Sequence, residues 1–229
     1  MEYPKINSLW KRQGWYFDEK EKKNCDSSRQ KDRQTFIQGD YACVEFGNIV
    51  FWDVEEKIDG TNIRIFYDEG NVRFGGRTKD AQIPTFLLDY LQAKFTQDLL
   101  HKVFPCKEEE PYPKVILFGE GYGPKIQSGG YYADEVGFCL FDVYVNGWWL
   151  EKNVVRHKIG LELGVPVPPF VGIMTELEIV DYIKSKPRSA FAQIEDHLIE
   201  GVVCRPNPLM LYRNGNPIMM KLKIKDNVQ

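Results

Sequence analysis

From Phe51 to Tyr67 the chain reads FWDVEEKIDGTNIRIFY, and this stretch decides the fold. In TNIRIFY, Ile63, Ile65 and Tyr67 alternate with Asn62, Arg64 and Phe66. A period of two puts the first set on one face of a strand. Asp68-Glu69-Gly70-Asn71 is turn chemistry and VRF resumes an extended segment, so the spacing predicts a β-hairpin. Wedged between the apolar runs is EKIDGTN, Glu56 to Asn62, with a lysine, an aspartate and a glycine where a strand or tight turn should be apolar. Gly60 permits a turn that a side chain would block. In an extended segment Lys57 and Asp59 point to the same face. An ordinary surface ion pair in a hairpin would also produce such a pattern.

Outward from this stretch, Pro84 to Phe104 reads as one helix. Leu87, Leu91, Phe95, Leu99 and Val103 recur every four residues, and Pro84 suits the first turn. KVILFGE is a short strand ending in a glutamate. Asn146-Gly147 between VGFCLFDVYV and WWL is a hairpin signal. A helix is expected near Lys152 to Leu163 and another after Thr175, where Thr175 and Glu178 match a capping box. IEGVVCRP and PIMMKLKI close the chain as strands. Strands outnumber helices without strict βαβ alternation, which predicts an α+β fold with largely antiparallel sheets. In the first fifty residues, Trp10, Trp15, Tyr16 and Phe17 are expected as anchors on the core. Asp18 to Gln34 reads as a solvated loop or frayed helix.

The 229 residues are 43% hydrophobic and 28% charged, enough apolar material for a sizeable core. The formal charge of −3 excludes a polybasic protein, so a nucleic-acid partner must be met by a local basic surface. No apolar run spans a membrane and the first twenty residues lack a secretory core. The five cysteines form no CxxC or zinc spacing and read as reduced thiols of a cytosolic protein. The three histidines are scattered.

Further polar segments stand out. FGGRTK sets Gly75 and Gly76 before Arg77, letting backbone approach a ligand and aiming a fork-shaped cation. In LFGEGYG, Glu120 sits at a strand end; the glycine spacing is wrong for a dinucleotide fingerprint. FCLFDVYV carries Phe141 and Asp142 within an aromatic strand, and Glu200 precedes Gly201. Lys221 and Lys223, two apart, share a strand face. Between Gly201 and Lys225 there are five basic residues and no acid, a segment suited to phosphate contacts.

In this order, EKIDGTN, GGRT, FGEGYG, LFDVYV, IEGVV and KLK resemble the covalent nucleotidyltransferase superfamily of polynucleotide ligases and mRNA capping enzymes. EKIDGTN followed by R-x-F, and the opening YPKINSLW, make the chain look most like ATP-dependent RNA ligases of the nick-sealing phage type, RNA ligase 2-like. The resemblance covers about Tyr3 to Lys225. It implies an ATP-grasp-like nucleotidyltransferase domain of antiparallel sheets flanked by helices. That domain would be a single unit over residues 1–229, with residues 1–50 an extension packed on it and no C-terminal accessory domain.

The resemblance also implies chemistry. Lys57 would attack the α-phosphate of ATP and carry AMP. The AMP would pass to a polynucleotide 5′-phosphate, and a 3′-hydroxyl would then displace it. Asp59 and Glu120 would contact ribose or metal-bound water, Arg77 sugar and phosphate, and Phe141 the adenine. Glu200 would help hold Mg2+, and Lys221 and Lys223 would grip the α-phosphate. The implied catalytic set is Lys57, Asp59, Glu120, Glu200, Lys221 and Lys223. The nucleotide-binding set is Glu56, Lys57, Ile58, Asn62, Arg77, Phe141, Lys221 and Lys223; the metal set is Asp59, Glu120 and Glu200. Implied partners are nicked or broken RNA, an RNA/DNA hybrid or DNA, and end-healing enzymes. A monomer in the cytoplasm, or in a host cytoplasm for a phage protein, is the expected setting. A minimal ATP-dependent DNA ligase is the nearest alternative, ahead of an mRNA guanylyltransferase or an inactive RNA-binding relative. Two points stay open: the chain ends soon after the last lysine motif, and KLKIK offers Lys221/Lys223 or Lys223/Lys225. The former continues the apolar strand in step.

Overall fold

The structure is a computed structural model that describes residues 1–12, 15–18, 23–26, 35–106, 111–127 and 132–228, with side chains for 1–11, 38–106, 111–127 and 132–226. In chain order the strands are β1 (Asn7–Ser8), β2 (Trp10–Arg12), β3 (Trp15–Asp18), β4 (Lys23–Asp26), β5 (Thr35–Tyr41), β6 (Trp52–Glu56), β7 (Thr61–Asp68), β8 (Asn71–Gly75), β9 (Val115–Tyr122), β10 (Gly137–Val145), β11 (Trp148–Trp149), β12 (Phe170–Met174), β13 (Gly201–Pro206), β14 (Met220–Lys223) and β15 (Asn227–Val228). The α-helices are α1 (Thr85–Lys94), α2 (Gln97–Val103), α3 (Lys152–Val154), α4 (Gly160–Leu163) and α5 (Glu176–Lys184). The fold is α+β with mostly antiparallel sheets, as the pattern predicts. The residues group into two compact units, each assembled from separated segments.

The first unit comprises Met1–Tyr3, Ile58–Pro169 and Ala190–His197. Its sheet has the order β11-β10-β9-β7-β8. Ile63, Ile65 and Tyr67 of β7 and Val115 and Leu117 of β9 face a core shared with Leu87, Leu91, Phe95 and Phe138. Each such side chain, fully removed from water, contributes about 1.5–3 kcal/mol. The helix expected over Pro84 to Phe104 is two helices. A repeat of four residues drifts by about 40° per step around a helix of 3.6 residues per turn. The apolar row would therefore wander off the core, and the chain breaks at Phe95 and Thr96 to realign it. Thr96 then caps α2, its hydroxyl accepting from Leu99 N–H at 3.2 Å. The segment Lys152–Leu163 is helical, with a wide π-type turn over Val155–Ile159.

The second unit comprises Pro4–Lys57, Phe170–Ser189 and Leu198–Gln229. Its main sheet runs β1-β14-β13-β6-β12; β15-β5-β2 and β3-β4 are smaller sheets. Trp52 and Val54 of β6, Val202 and Cys204 of β13, and Met220 and Leu222 of β14 pack with Ile179, Val180 and Ile183 of α5. Helix α5 starts at the expected capping box, with Glu178 N–H donating to the Thr175 hydroxyl and Thr175 N–H to the Glu178 carboxylate. Trp10 is buried in this core. The side chains of Trp15, Tyr16 and Phe17 lie outside the described residues. Within the stretch expected as loop or frayed helix, Lys23–Asp26 is instead a strand paired with Trp15–Asp18.

Candidate active site

In the second unit, β13 pairs with both β6 and β14. The core-facing residues of β6 are Trp52, Val54 and Glu56; Asp53, Glu55 and Lys57 take the other face by the period of two. On β14, Met220 and Leu222 enter the core, so Lys221 and Lys223 share the face opposite to them. Gly201 is the pivot. Lys57 N–H donates to its carbonyl at 2.9 Å, and Gly201 is the register partner of Lys223. A Cβ there would lie 2.2 Å from the Leu222 carbonyl oxygen and 2.7 Å from Lys223 Cα, so only glycine allows this approach.

The result is a compact charged group. Lys57 Nζ donates to Glu200 Oε2 at 2.6 Å, and Lys223 Nζ donates to Glu200 Oε1. All three side chains are largely buried, at 20%, 15% and 20% exposure for Lys57, Glu200 and Lys223. Burial pushes the Glu200 carboxyl up, but the Lys57 charge and the hydrogen bonds from Lys223 and Lys57 outweigh it and hold the group below its ordinary value. Lys221, half-buried, lies opposite Val203 in the ladder. Lys225 follows the strand and is exposed. Glu56, facing the core, accepts from the Ser189 hydroxyl. The Tyr182 hydroxyl, pushed up by burial and by the charge of Glu56, belongs to the same surroundings.

In the first unit, Asn62 of β7, Glu120 of β9 and Cys139 of β10 are successive cross-strand partners on the face turned away from the core. Asn62 Oδ1 is buried without a hydrogen-bond partner, an acceptor that a donor group would satisfy. The turn leading into β7 is held from three sides. Asp59 N–H donates to the Tyr132 hydroxyl at 3.1 Å, and Gln127 Nε2 donates to the Gly60 carbonyl at 2.7 Å. A Cβ on Gly60 would sit 2.2 Å from the Gly121 carbonyl oxygen. Ile58 packs with Tyr132 and Cys139.

Phe141 occupies a β-bulge: Leu140 pairs with Gly119 and Asp142 with Phe118, leaving Phe141 without a register partner. Lys152, itself buried, donates to the Phe141 carbonyl and lies 3.9 Å from Asp142. The Tyr3 hydroxyl donates to Asp142, and its ring meets Phe141 edge-on at 4.9 Å between centroids. Arg77 is exposed on the loop after β8.

The sequence-predicted residues thus form local groups within each unit: Lys57, Glu200 and Lys223 in one, Asn62 and Glu120 in the other. Among the described residues, no three His, Cys, Asp or Glu side chains gather into a metal-holding cluster. Glu200 presents hard carboxylate oxygens, a donor type that suits Mg2+, which usually keeps several of its waters.

The family described as RNA ligase matches residues 50–223, well over half of the chain. The chain belongs to the RNA ligase family. A search of curated protein sequences gives no match. Solved structures of Naegleria gruberi RNA ligase share the fold. An unliganded aspartate-to-alanine variant is 16% identical at a TM-score of 0.56, over 79% of this chain and 51% of that one. A lysine-to-alanine variant holding ATP and Mn is 16% identical at 0.55, over 77% and 51%. A form with pyrophosphate is 16% identical at 0.53, over 76% and 49%. The chain spans about half the length of these solved ligases.

Among the described residues of this RNA ligase family member, the buried cations Arg205 and Arg64, like Lys152, received no site role from the sequence. Arg205 Nη1 donates to Glu55 Oε2 at 3.2 Å on the Lys57 face of the second unit, with both side chains buried. Arg64, on the Asn62 face of β7, is buried and donates to main-chain carbonyls. The period-two alternation of WDVEEK and TNIRIFY marks Glu55 and Arg64 as polar residues on the non-core face, and is the signal that could have singled them out.

Proposed function

We propose that the chain is an ATP-dependent RNA ligase, one nucleotidyltransferase domain that joins 3′-hydroxyl and 5′-phosphate ends through an AMP carried on Lys57. The observation that carries this reading is the Lys57–Glu200–Lys223 group in a chain of the RNA ligase family. The lone pair of Lys57 Nζ attacks the α-phosphorus, a nitrogen–phosphorus bond forms, and the bond to pyrophosphate breaks. The 5′-phosphate oxygen of a broken strand then takes the AMP, restoring the lysine. Finally a 3′-hydroxyl attacks the activated 5′-phosphate and expels AMP.

An amine must be neutral to attack, whereas a free lysine with an ordinary pKa of about 10.4 is overwhelmingly charged at pH 7. Pairing with Glu200 stabilises the charged resting form. Mg2+ bound at Glu200 would offset phosphate charge and favour the neutral amine. Asp59 and Glu120 would contact ribose or metal-bound water. Lys221 and Lys223 offset charge growing on the α-phosphate. Phe141 stacks on adenine from its bulge, and Arg77 positions sugar and phosphate. Glu56, Ile58 and Asn62 complete the nucleotide surroundings, with the unpaired Asn62 oxygen free to accept from a hydroxyl.

The test is incubation of the protein with labelled ATP and Mg2+, followed by a chase with nicked RNA and nicked DNA duplexes. A covalent adduct that discharges onto an RNA 5′-phosphate supports the reading. No adduct would overturn it, and discharge onto DNA alone would replace it with the DNA ligase alternative.

A further inference from the structure

Arg64 is 4% exposed, and a guanidinium withdrawn from water is tolerated where its donors are met. Its Nε donates to the Gly76 carbonyl at 2.6 Å, its Nη2 to the Thr78 carbonyl at 2.9 Å, and its Nη1 to the Met1 carbonyl at 2.8 Å. The first two acceptors belong to the residues on either side of Arg77. Arg64 and Gly75 form the end rung of the β7–β8 ladder, so Gly76 to Thr78 have already left the sheet. The loop also closes on itself. Ala81 N–H donates to the Thr78 carbonyl at 3.4 Å, and a Cβ on Gly76 would lie 2.8 Å from Ala81 Cβ. Arg77 is thus an exposed side chain on a backbone pinned just before and just after it.

We propose that Arg64 is the positioning residue for Arg77: its fork fixes the two flanking carbonyls and so sets the direction from which the Arg77 guanidinium reaches a substrate sugar or phosphate. This rests on the reading of Arg77 given above. A planar fork can hold two carbonyls in fixed relation, whereas an ammonium on a flexible stem cannot. Arg64 itself touches no substrate group; it acts through Arg77.

The test uses the full chain with Arg64→Lys, Arg77→Ala and both together. Single-turnover transfer of AMP from the adenylylated enzyme to a nicked RNA 5′-phosphate is followed at a temperature below each variant's unfolding midpoint. Each single change should slow transfer by about 10- to 100-fold, the scale of a misplaced positioning group. The double variant should be no slower than Arg77→Ala alone, because the two residues act as one device. Losses that multiply in the double variant would overturn the inference, as would a wild-type rate in Arg64→Lys. Arg64→Gln, neutral with a shorter stem, provides the same cycle where Arg64→Lys does not fold. A wild-type rate in Arg77→Ala, with adduct still abolished by Lys57→Ala, overturns the inference and leaves the lysine reading standing. Adduct persisting in Lys57→Ala instead brings down the reading beneath it.

Discussion

The two units present polar faces built on different principles. In the second unit, Lys57, Glu200 and Lys223 hold one another by charge, and the backbone supplies a steric pivot at Gly201. In the first unit, the candidate residues are supported through the main chain. Tyr132 and Gln127 hold the turn at Asp59 and Gly60, Arg64 holds the loop around Arg77, and Lys152 holds the bulge at Phe141. The charge-built face should respond to protonation and to loss of a single charge. The backbone-built face should respond to shape rather than to charge.

Lys57→Ala sets the outer limit of this contrast. It removes the amine and should lower labelled adduct by at least about 10³-fold, to background on a denaturing gel. Glu200→Gln keeps the shape and deletes the charge; adduct formation should fall by about 10²-fold in a magnesium titration. The same variant sharpens the point about protonation. Because the Glu200 carboxyl is held below its ordinary value in the fold, its stabilising contribution is complete above the ordinary carboxylate range. It is lost as pH falls through the lowered folded value. The wild-type unfolding midpoint should therefore decline on acidification more steeply than that of Glu200→Gln, and parallel curves would contradict the charge-built account.

On the other face, Phe141→Ala should raise the apparent KM for ATP by about tenfold, the equivalent of one aromatic stacking contact of about 1.4 kcal/mol, with a smaller change in maximal rate. An unaltered KM would make Phe141 a packing residue. Gly60→Ala and Gly201→Ala both force a Cβ to 2.2 Å from a carbonyl oxygen and should each cost about 1–3 kcal/mol in urea unfolding. The Gly201 change should also disturb the Lys57–Lys223 spacing and slow adduct formation. Thr175→Ala removes a helix cap remote from this chemistry. It should cost about 1 kcal/mol of stability and leave adduct formation unchanged.

Local periodicity made much of this legible. Alternation in TNIRIFY placed Ile63, Ile65 and Tyr67 in the core, and MMKLK placed Met220 and Leu222 inside with Lys221 and Lys223 opposite. The capping box at Thr175 and the Asn146-Gly147 turn rest on neighbouring residues and needed no tertiary information. The break at Thr96 escaped because the apolar row passes through it unbroken; only the drift of a four-residue repeat betrays it. The pairing of Arg205 with Glu55 spans 150 residues, and no local pattern connects them. The grip of Arg64 on Gly76 and Thr78 depends on where the loop leaves β8, which the alternation does not state. The ordered motifs drew attention to Lys57 and Glu200, but the ion pair between them needs β6 and β13 to be neighbours.

The most direct measurement is peptide mapping after incubation with ATP and Mg2+. The protein is digested under conditions that preserve a phosphoramide link and its fragments are weighed. The account predicts an AMP-sized mass gain on the fragment containing Lys57, reversed by acid and absent without the divalent ion. A gain on any other fragment, or none, would contradict it.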